Sequence, residues 1–128
     1  GPQQPDYLNM LLSTSCQLKP LELLDLTQSW EKELGRQASA LRWGPRVIDI
    51  DLLSYAELEL LGERLCLPHP GICQRAFVLA PWAELAGAFI LPGQNKSIEQ
   101  LWQLAQDSQD THGELIQLLG PLFSERKI

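Results

Sequence analysis

Apolar side chains recur at near-helical spacing through Leu23, Leu26, Trp30 and Leu34, predicting a helix over 21–34 with those four residues as its buried stripe. Pro20 suits the first helical turn, where its missing N–H costs nothing, and Gly35 is a stop signal. Gln28 and Glu31, three apart, lie together on another face of that helix. Upstream, Tyr7 to about Leu18 is rich in apolar and hydroxyl residues and reads as a strand. Downstream, Gly35 to Leu41 has small and polar residues without periodicity, which predicts a mobile loop leading into Arg42 and able to close as a lid.

Beyond Pro45 the pattern changes to a period of two. Ile48, Ile50 and Leu52 fall on one face and Asp49 and Asp51 on the other, the alternation of a β-strand. Glu57 to Leu67 is expected to form a hairpin or short extended pair turning at Gly62, followed by a rigid turn at Pro68-His69-Pro70-Gly71. Gln74 to Leu85 should be a short helix presenting Arg75, ended by Pro92-Gly93. Two further helix starts carry capping-box signatures, Ser97 with Gln100 and Thr111 with Glu114. Ile98, Leu101, Trp102 and Ala105, then Leu115, Ile116, Leu118 and Leu119, would be their packing residues, so 93–128 reads as a structural helical tail.

Composition narrows the class. The chain has 128 residues, 45% of them hydrophobic, which suits one domain with a real core. A net charge of -6 argues against a nucleic-acid or anionic-membrane surface, since either needs a broad basic patch. A phosphate site must therefore be local, and the basic concentration that coincides with a motif is Arg36, Arg42 and Arg46. Cys16, Cys66 and Cys73 leave one thiol unpaired in any disulfide scheme, which points to a reducing cytoplasm. His69 and His112 are too scattered for a zinc site. There is no apolar run of membrane-spanning length and no signal-peptide architecture.

The chemistry concentrates in Arg42-Trp43-Gly44-Pro45-Arg46-Val47-Ile48-Asp49-Ile50-Asp51. Carboxylates at i and i+2 of a strand have Cα atoms about 6.5 to 7 Å apart, from a rise of about 3.3 Å per residue. Their charges repel unless a cation lies between them. Mg²⁺ takes carboxylate oxygens, keeps several waters and completes its shell with substrate phosphates, while arginines bind phosphate oxygens in fork geometry. The string thus reads as a site for a metal-bound polyphosphate. The other reading is an exposed strand whose wet face carries ordinary ion pairs.

The wider order of motifs carries a resemblance. Tyr7-Leu8-Asn9 precedes the Arg42–Asp51 run, and Glu63-Arg64-Leu65-Cys66-Leu67-Pro68-His69-Pro70 and Arg75-Ala76-Phe77-Val78-Leu79 follow it. From about Gly1 to about Pro92 this set resembles the 6-hydroxymethyl-7,8-dihydropterin pyrophosphokinases, enzymes of folate biosynthesis. The resemblance implies an α+β, ferredoxin-like fold, an antiparallel sheet with helices packed on it, and transfer of pyrophosphate from ATP to the hydroxymethyl group of the pterin, releasing AMP. It implies that Asp49 and Asp51 hold two Mg²⁺ ions and that Arg36 and Arg46 are the catalytic arginines. Gln28, Glu31, Arg42, Arg64, Leu65, Cys66, His69 and Arg75 match positions lining the ATP site, and Tyr7, Asn9, Trp43 and Phe77 match pterin-side positions. The alternative for His69 is a turn histidine satisfied by backbone, and for Trp43 and Phe77 simple core packing.

The chain departs from the family at Ala38, where the loop commonly carries another ATP-contacting arginine, at Pro70, where an aromatic residue often follows the histidine, and at Cys66, which replaces a common hydroxyl residue. Gly1-Pro2-Gln3-Gln4 has no initiator Met and enters almost at once into Tyr7. The family has a strand, a helix and another strand before this point, so the chain is expected to be the C-terminal two-thirds of a single pyrophosphokinase domain, lacking its N-terminal part. The expected partners are the small-molecule substrates, with no nucleic acid and no membrane, and a remaining sheet edge that would pair with another chain. Two other functions stay open: a non-catalytic remnant that binds a partner through that edge, and another Mg²⁺-dependent nucleotidyl or phosphoryl transferase sharing the D-x-D device.

Overall fold

Pro20 opens α1 (Pro20–Ala40), the longest element. The Glu22 carboxylate reaches back to accept the Lys19 N–H at 2.8 Å, half of a capping box, and puts negative charge at the positive end of the helix. The computed structural model describes residues 9–40, 48–107 and 126–127; Tyr7, Arg42, Trp43, Arg46 and the Thr111–Glu114 signature lie outside them. These residues belong to two compact units, Gln17–His69 on the one hand and Gly1–Cys16 with Pro70–Ile128 on the other.

Within residues 17–69, α1 corrects two expectations. Gly35 does not stop the helix, which runs on to Ala40, so the loop expected over 35–41 is helical through Ala40. One glycine costs a helix about 1 kcal/mol, and the Arg36-Gln37-Ala38-Ser39-Ala40 run that follows contains good helix formers. The buried stripe is also displaced. Leu23, Leu24 and Thr27 are buried, whereas Trp30 is 40% and Leu34 39% exposed. The rows 23-26-30 and 24-27-31 have the same spacing and differ by about 100° around the helix, so periodicity alone cannot choose between them. Thr27 is tolerated inside because its hydroxyl donates to the Leu24 carbonyl at 2.9 Å.

The segment after residue 47 keeps part of its predicted alternation without forming the predicted strand. Asp49 and Asp51 are exposed while Ile50 and Leu52 are half-buried, yet residues 48–54 have no ladder partner among the described residues. A strand is stabilised by neighbours, and here other groups take its hydrogen bonds: Glu31 Oε2 accepts the Ile50 N–H at 2.9 Å, and the Leu53 carbonyl accepts the His69 N–H at 2.7 Å. A turn follows, with Ala56 at φ 48° and the Leu58 N–H donating to Tyr55 O at 3.0 Å.

The expected hairpin is present as β2 (Leu60–Leu61) and β3 (Cys66–Leu67), antiparallel, with Leu60 opposite Leu67 and Leu61 opposite Cys66. Gly62 closes it, its N–H donating to Leu65 O at 3.0 Å; a Cβ at Gly62 would stand 3.0 Å from that same oxygen. Leu24 of α1 packs with Leu65 and Leu67 of the hairpin, and Leu52, Tyr55 and Leu60 close around them. The Tyr55 hydroxyl also donates to Leu18 O at 2.6 Å, tying the turn to the start of α1.

In the other unit, the strand expected from Tyr7 to Leu18 appears among the described residues only as β1 (Thr14–Ser15), paired in parallel with β4 (Arg126–Lys127). The helix expected over 74–85 is a 3₁₀ turn at Ile72–Gln74 followed by α2 (Ala76–Ala86), which accommodates Pro81. Pro92 and Gly93, at φ 81°, then form a type II turn closed by the Gln94 N–H on Leu91 O at 3.0 Å. The capping box at α3 (Ile98–Asp107) is as predicted: the Ser97 N–H donates to Gln100 Oε1 at 2.8 Å and the Gln100 N–H to Ser97 Oγ at 3.2 Å. Leu79 and Ile98 are fully buried, and Trp82 stacks on Phe89 with centroids 6.1 Å apart. Gly87, just past α2, leaves no room for a side chain: a Cβ there would stand 2.8 Å from Ala83 O of α2 itself and 3.3 Å from Glu99 Cβ of α3.

The described residues are thus α+β, with three α-helices and two small sheets. Cys16, Cys66 and Cys73 are not joined in disulfides, and partial burial pushes the Cys73 thiol up from its ordinary value. No helix among the described residues is long and apolar enough to cross a membrane.

Two glycine substitutions should have opposite signs in urea denaturation. At Gly35 a methyl group meets nothing within 4 Å, so Gly35→Ala should stabilise by about 0.5–1 kcal/mol. Gly87→Ala must crowd the Ala83 carbonyl and Glu99 and should destabilise by about 1–3 kcal/mol.

Candidate active site

The site residues in 17–69 come from three places that the apolar cluster brings together: one side of α1, the Asp49–Asp51 segment and the β2–β3 hairpin. Gln28 and Arg64, distant in sequence, meet here. Arg64 Nη2 donates to Gln28 Oε1 at 3.3 Å and to Asp25 Oδ1 at 2.6 Å. The hairpin turn carries Arg64 across to α1, and the i, i+3 spacing of Asp25 and Gln28 puts both acceptors on the same side of the helix. The side chains of Arg64 and Asp25 are 51% and 63% exposed, so this ion pair stays in contact with water.

Glu31 continues the row, one step beyond Gln28, and its bond to the Ile50 N–H fastens the D-x-D segment to α1. Asp49 and Asp51 are exposed on either side of that anchored residue. Arg36 lies nearer the C-terminal end of α1, largely exposed, with Nη1 3.7 Å from Glu33 Oε2.

Leu65 and Cys66 occupy the second half of the hairpin. The Leu65 side chain belongs to the core, so a ligand contact from this residue would use its backbone. The Cys66 thiol is half-buried and donates to Gly62 O at 3.5 Å. His69 is half-buried, and its backbone N–H donates to Leu53 O at 2.7 Å.

Arg75 and Phe77 belong to the other unit and stand together there, with the Arg75 guanidinium carbon 6.0 Å from the centroid of the Phe77 ring. Arg75 occupies the N-cap position of α2, where its carbonyl accepts the Val78 and Leu79 N–H groups. Asn9 is exposed.

Asp25 was not among the residues singled out from the sequence. Its i−3 relation to Gln28 is a signal that was there to be used, but nothing local says that Arg64 would reach it. Among the described residues no group of three His, Cys, Asp or Glu side chains could enclose a metal ion. The donor set that remains, two exposed carboxylates on an anchored segment, suits a hard cation that shares its shell with substrate phosphates.

Residues 2–87 match the 7,8-dihydro-6-hydroxymethylpterin-pyrophosphokinase family, and the chain belongs to it. A protein of Synechocystis sp. named 2-amino-4-hydroxy-6-hydroxymethyldihydropteridine pyrophosphokinase is 42% identical over 101 residues, covering 79% of this chain and 51% of its own length. Proteins of the same name from Haemophilus influenzae and Bacillus subtilis are 41% identical over 106 residues and 46% over 82, covering 82% and 64% of this chain and 66% and 48% of their own lengths. The chain therefore spans between about half and two-thirds of the length of these relatives.

Because the Arg64–Asp25 pair is solvated, its contribution to stability should be small. Asp25→Asn is expected to change the unfolding free energy by less than about 1 kcal/mol, with the difference shrinking further in molar salt, as chemical denaturation at two ionic strengths would show.

Proposed function

We propose that this chain carries the nucleotide and metal side of a pyrophosphokinase that moves the β,γ-pyrophosphoryl unit of ATP to 6-hydroxymethyl-7,8-dihydropterin in folate biosynthesis. The observation that carries this reading is the exposed Asp49–Asp51 pair on a segment anchored to α1 beside Gln28 and Arg64. Family membership supports it. The finer fold we propose is ferredoxin-like, an antiparallel sheet with helices packed on it and an edge that would pair with another chain. Three cysteines outside disulfides fit the cytoplasmic setting we propose.

In the reaction, the pterin hydroxymethyl oxygen attacks the β-phosphorus, a new O–P bond forms, the bridging α,β bond breaks, and AMP leaves with the electron pair. The hydroxyl proton is lost, and Asp49 is the carboxylate we place near it. Asp49 and Asp51 would hold two Mg²⁺ ions, whose chemistry there would be charge neutralisation and a sharper electrophile at the β-phosphorus. The chain's own groups do the positioning on which such transfers depend. Gln28 and Arg64 line one side of the nucleotide site, with Leu65, Cys66 and His69 from the hairpin and the turn after it. By the family resemblance, Arg42 and Arg75 match further ATP-site positions.

Arg36 and Arg46 stabilise charge on the transferring group and on departing AMP. For Arg36, an exposed side chain leaning on Glu33 leaves the guanidinium able to turn toward an incoming polyphosphate, because a solvated pair of this kind is worth little. On the pterin side, Tyr7, Asn9, Trp43 and Phe77 would hold the heterocycle by stacking and by an amide reading its edge.

The test incubates the chain with ATP, MgCl₂ and 6-hydroxymethyl-7,8-dihydropterin and separates the nucleotide products. Pterin-dependent AMP is expected. ADP in its place would overturn the reading in favour of simple phosphoryl transfer. Asp49→Ala and Asp51→Ala should each lower turnover by about a hundredfold or more while the chain stays folded, and normal turnover in either would refute the metal assignment.

A further inference from the structure

The Ile50 N–H lies within the Asp49-Ile50-Asp51 segment, and its acceptor is a side chain nineteen residues earlier. Glu31 Oε2 takes it at 2.9 Å in a half-buried setting. In a strand this donor would point to a neighbouring strand, but among the described residues none pairs with this segment. Glu31 stands where a ladder would stand. Because successive side chains alternate in direction, fastening the residue between the carboxylates to α1 orients both of its neighbours at once. Ile50 and Leu52 turn inward and Asp49 and Asp51 outward, as their burial records.

Two like charges so close in sequence would otherwise splay apart, and a cation would have to gather them on binding. An anchored peptide meets that requirement before the cation arrives, in the way that groups behind metal ligands orient them elsewhere. The carboxylate of Glu31 points at backbone, which separates its task from that of the exposed pair. We propose that Glu31 is a positioning residue for Asp49 and Asp51, acting through the Ile50 peptide without touching nucleotide or cation. This differs from the ATP-lining role that resemblance assigns to it, and it rests on the pyrophosphokinase reading above.

The charge and the hydrogen bond can be separated, because a glutamine side chain keeps an acceptor oxygen at the same reach and carries no charge. The full chain and its Glu31→Gln and Glu31→Ala variants would be compared in two ways: amide hydrogen exchange at Ile50, and calorimetric titration with α,β-methylene ATP, with and without MgCl₂. In Glu31→Ala the Ile50 amide should exchange at least about tenfold faster and the Mg²⁺-dependent affinity should fall by about 10–100-fold, the usual cost of losing a group that orients metal ligands. Glu31→Gln should hold both quantities within about threefold of the parent chain, since the orienting hydrogen bond survives. Binding of the metal-free analogue should be the same in all three.

Loss of affinity in Glu31→Gln with Ile50 still protected would overturn the inference, since the charge itself would then be touching the ligand. Unchanged Ile50 exchange in Glu31→Ala would overturn it as well. If Glu31→Ala loses protection throughout the core, at Leu67 as well as at Ile50, the glutamine variant decides alone. A parent chain without Mg²⁺-dependent binding overturns the pyrophosphokinase reading and the inference together, whereas a failure confined to the Glu31 variants overturns the inference only.

Discussion

Leu24 meeting Leu65 and Leu67 is the contact on which the candidate site depends within residues 17–69. Burying a leucine side chain stabilises a fold by about 2 kcal/mol, and here three of them join elements far apart in sequence. Once Leu24 is seated, the rest of α1 is in register: Gln28 lies one turn on and Glu31 two. Once Leu65 is seated, its neighbours Arg64 and Cys66 are placed as well. Leu52 closes around the same cluster, which holds the residue after Asp51 against the core. The chemistry is thus carried on the polar neighbours of a small apolar cluster, and a shift in that cluster would move every group together.

The electrostatics of the site follow from an acidic chain handling a few arginines. Arg64 is shared between Asp25 and Gln28, and Arg36 leans on Glu33. Both arrangements restrain a long side chain without committing it, because solvated ion pairs contribute little and a polyphosphate carries more charge than the carboxylate it would displace. The carboxylates nearby also keep a general basic field from forming. In the function proposed above, Asp49 and Asp51 would hold the cations that accompany a polyphosphate.

Much of the local structure was legible from residues that act on their immediate neighbours. Ser97 and Gln100 satisfy each other's backbone within one helical turn, Gly62 closes a hairpin whose strands flank it, and Pro92-Gly93 makes a type II turn from its own dihedral preferences. The errors lie where the outcome depends on what comes from elsewhere. Gly35 is weighed against the whole helix on either side of it, so its cost did not end α1. Leu23 is buried as expected, but Leu24, which the hairpin covers, is buried beside it, while Trp30 and Leu34 are left exposed.

The site divides in the same way. Carboxylates two apart in an alternating run, arginines near them and a specific order of motifs are properties of the chain as written, and they pointed to the family that residues 2–87 match. That Asp25 reaches Arg64, and that Glu31 turns to the backbone of Ile50 instead of outward, are properties of the folded chain. A side chain's identity states which bonds it can make; which of them it makes depends on the partners that packing brings within 3 Å or so, and that choice is non-local.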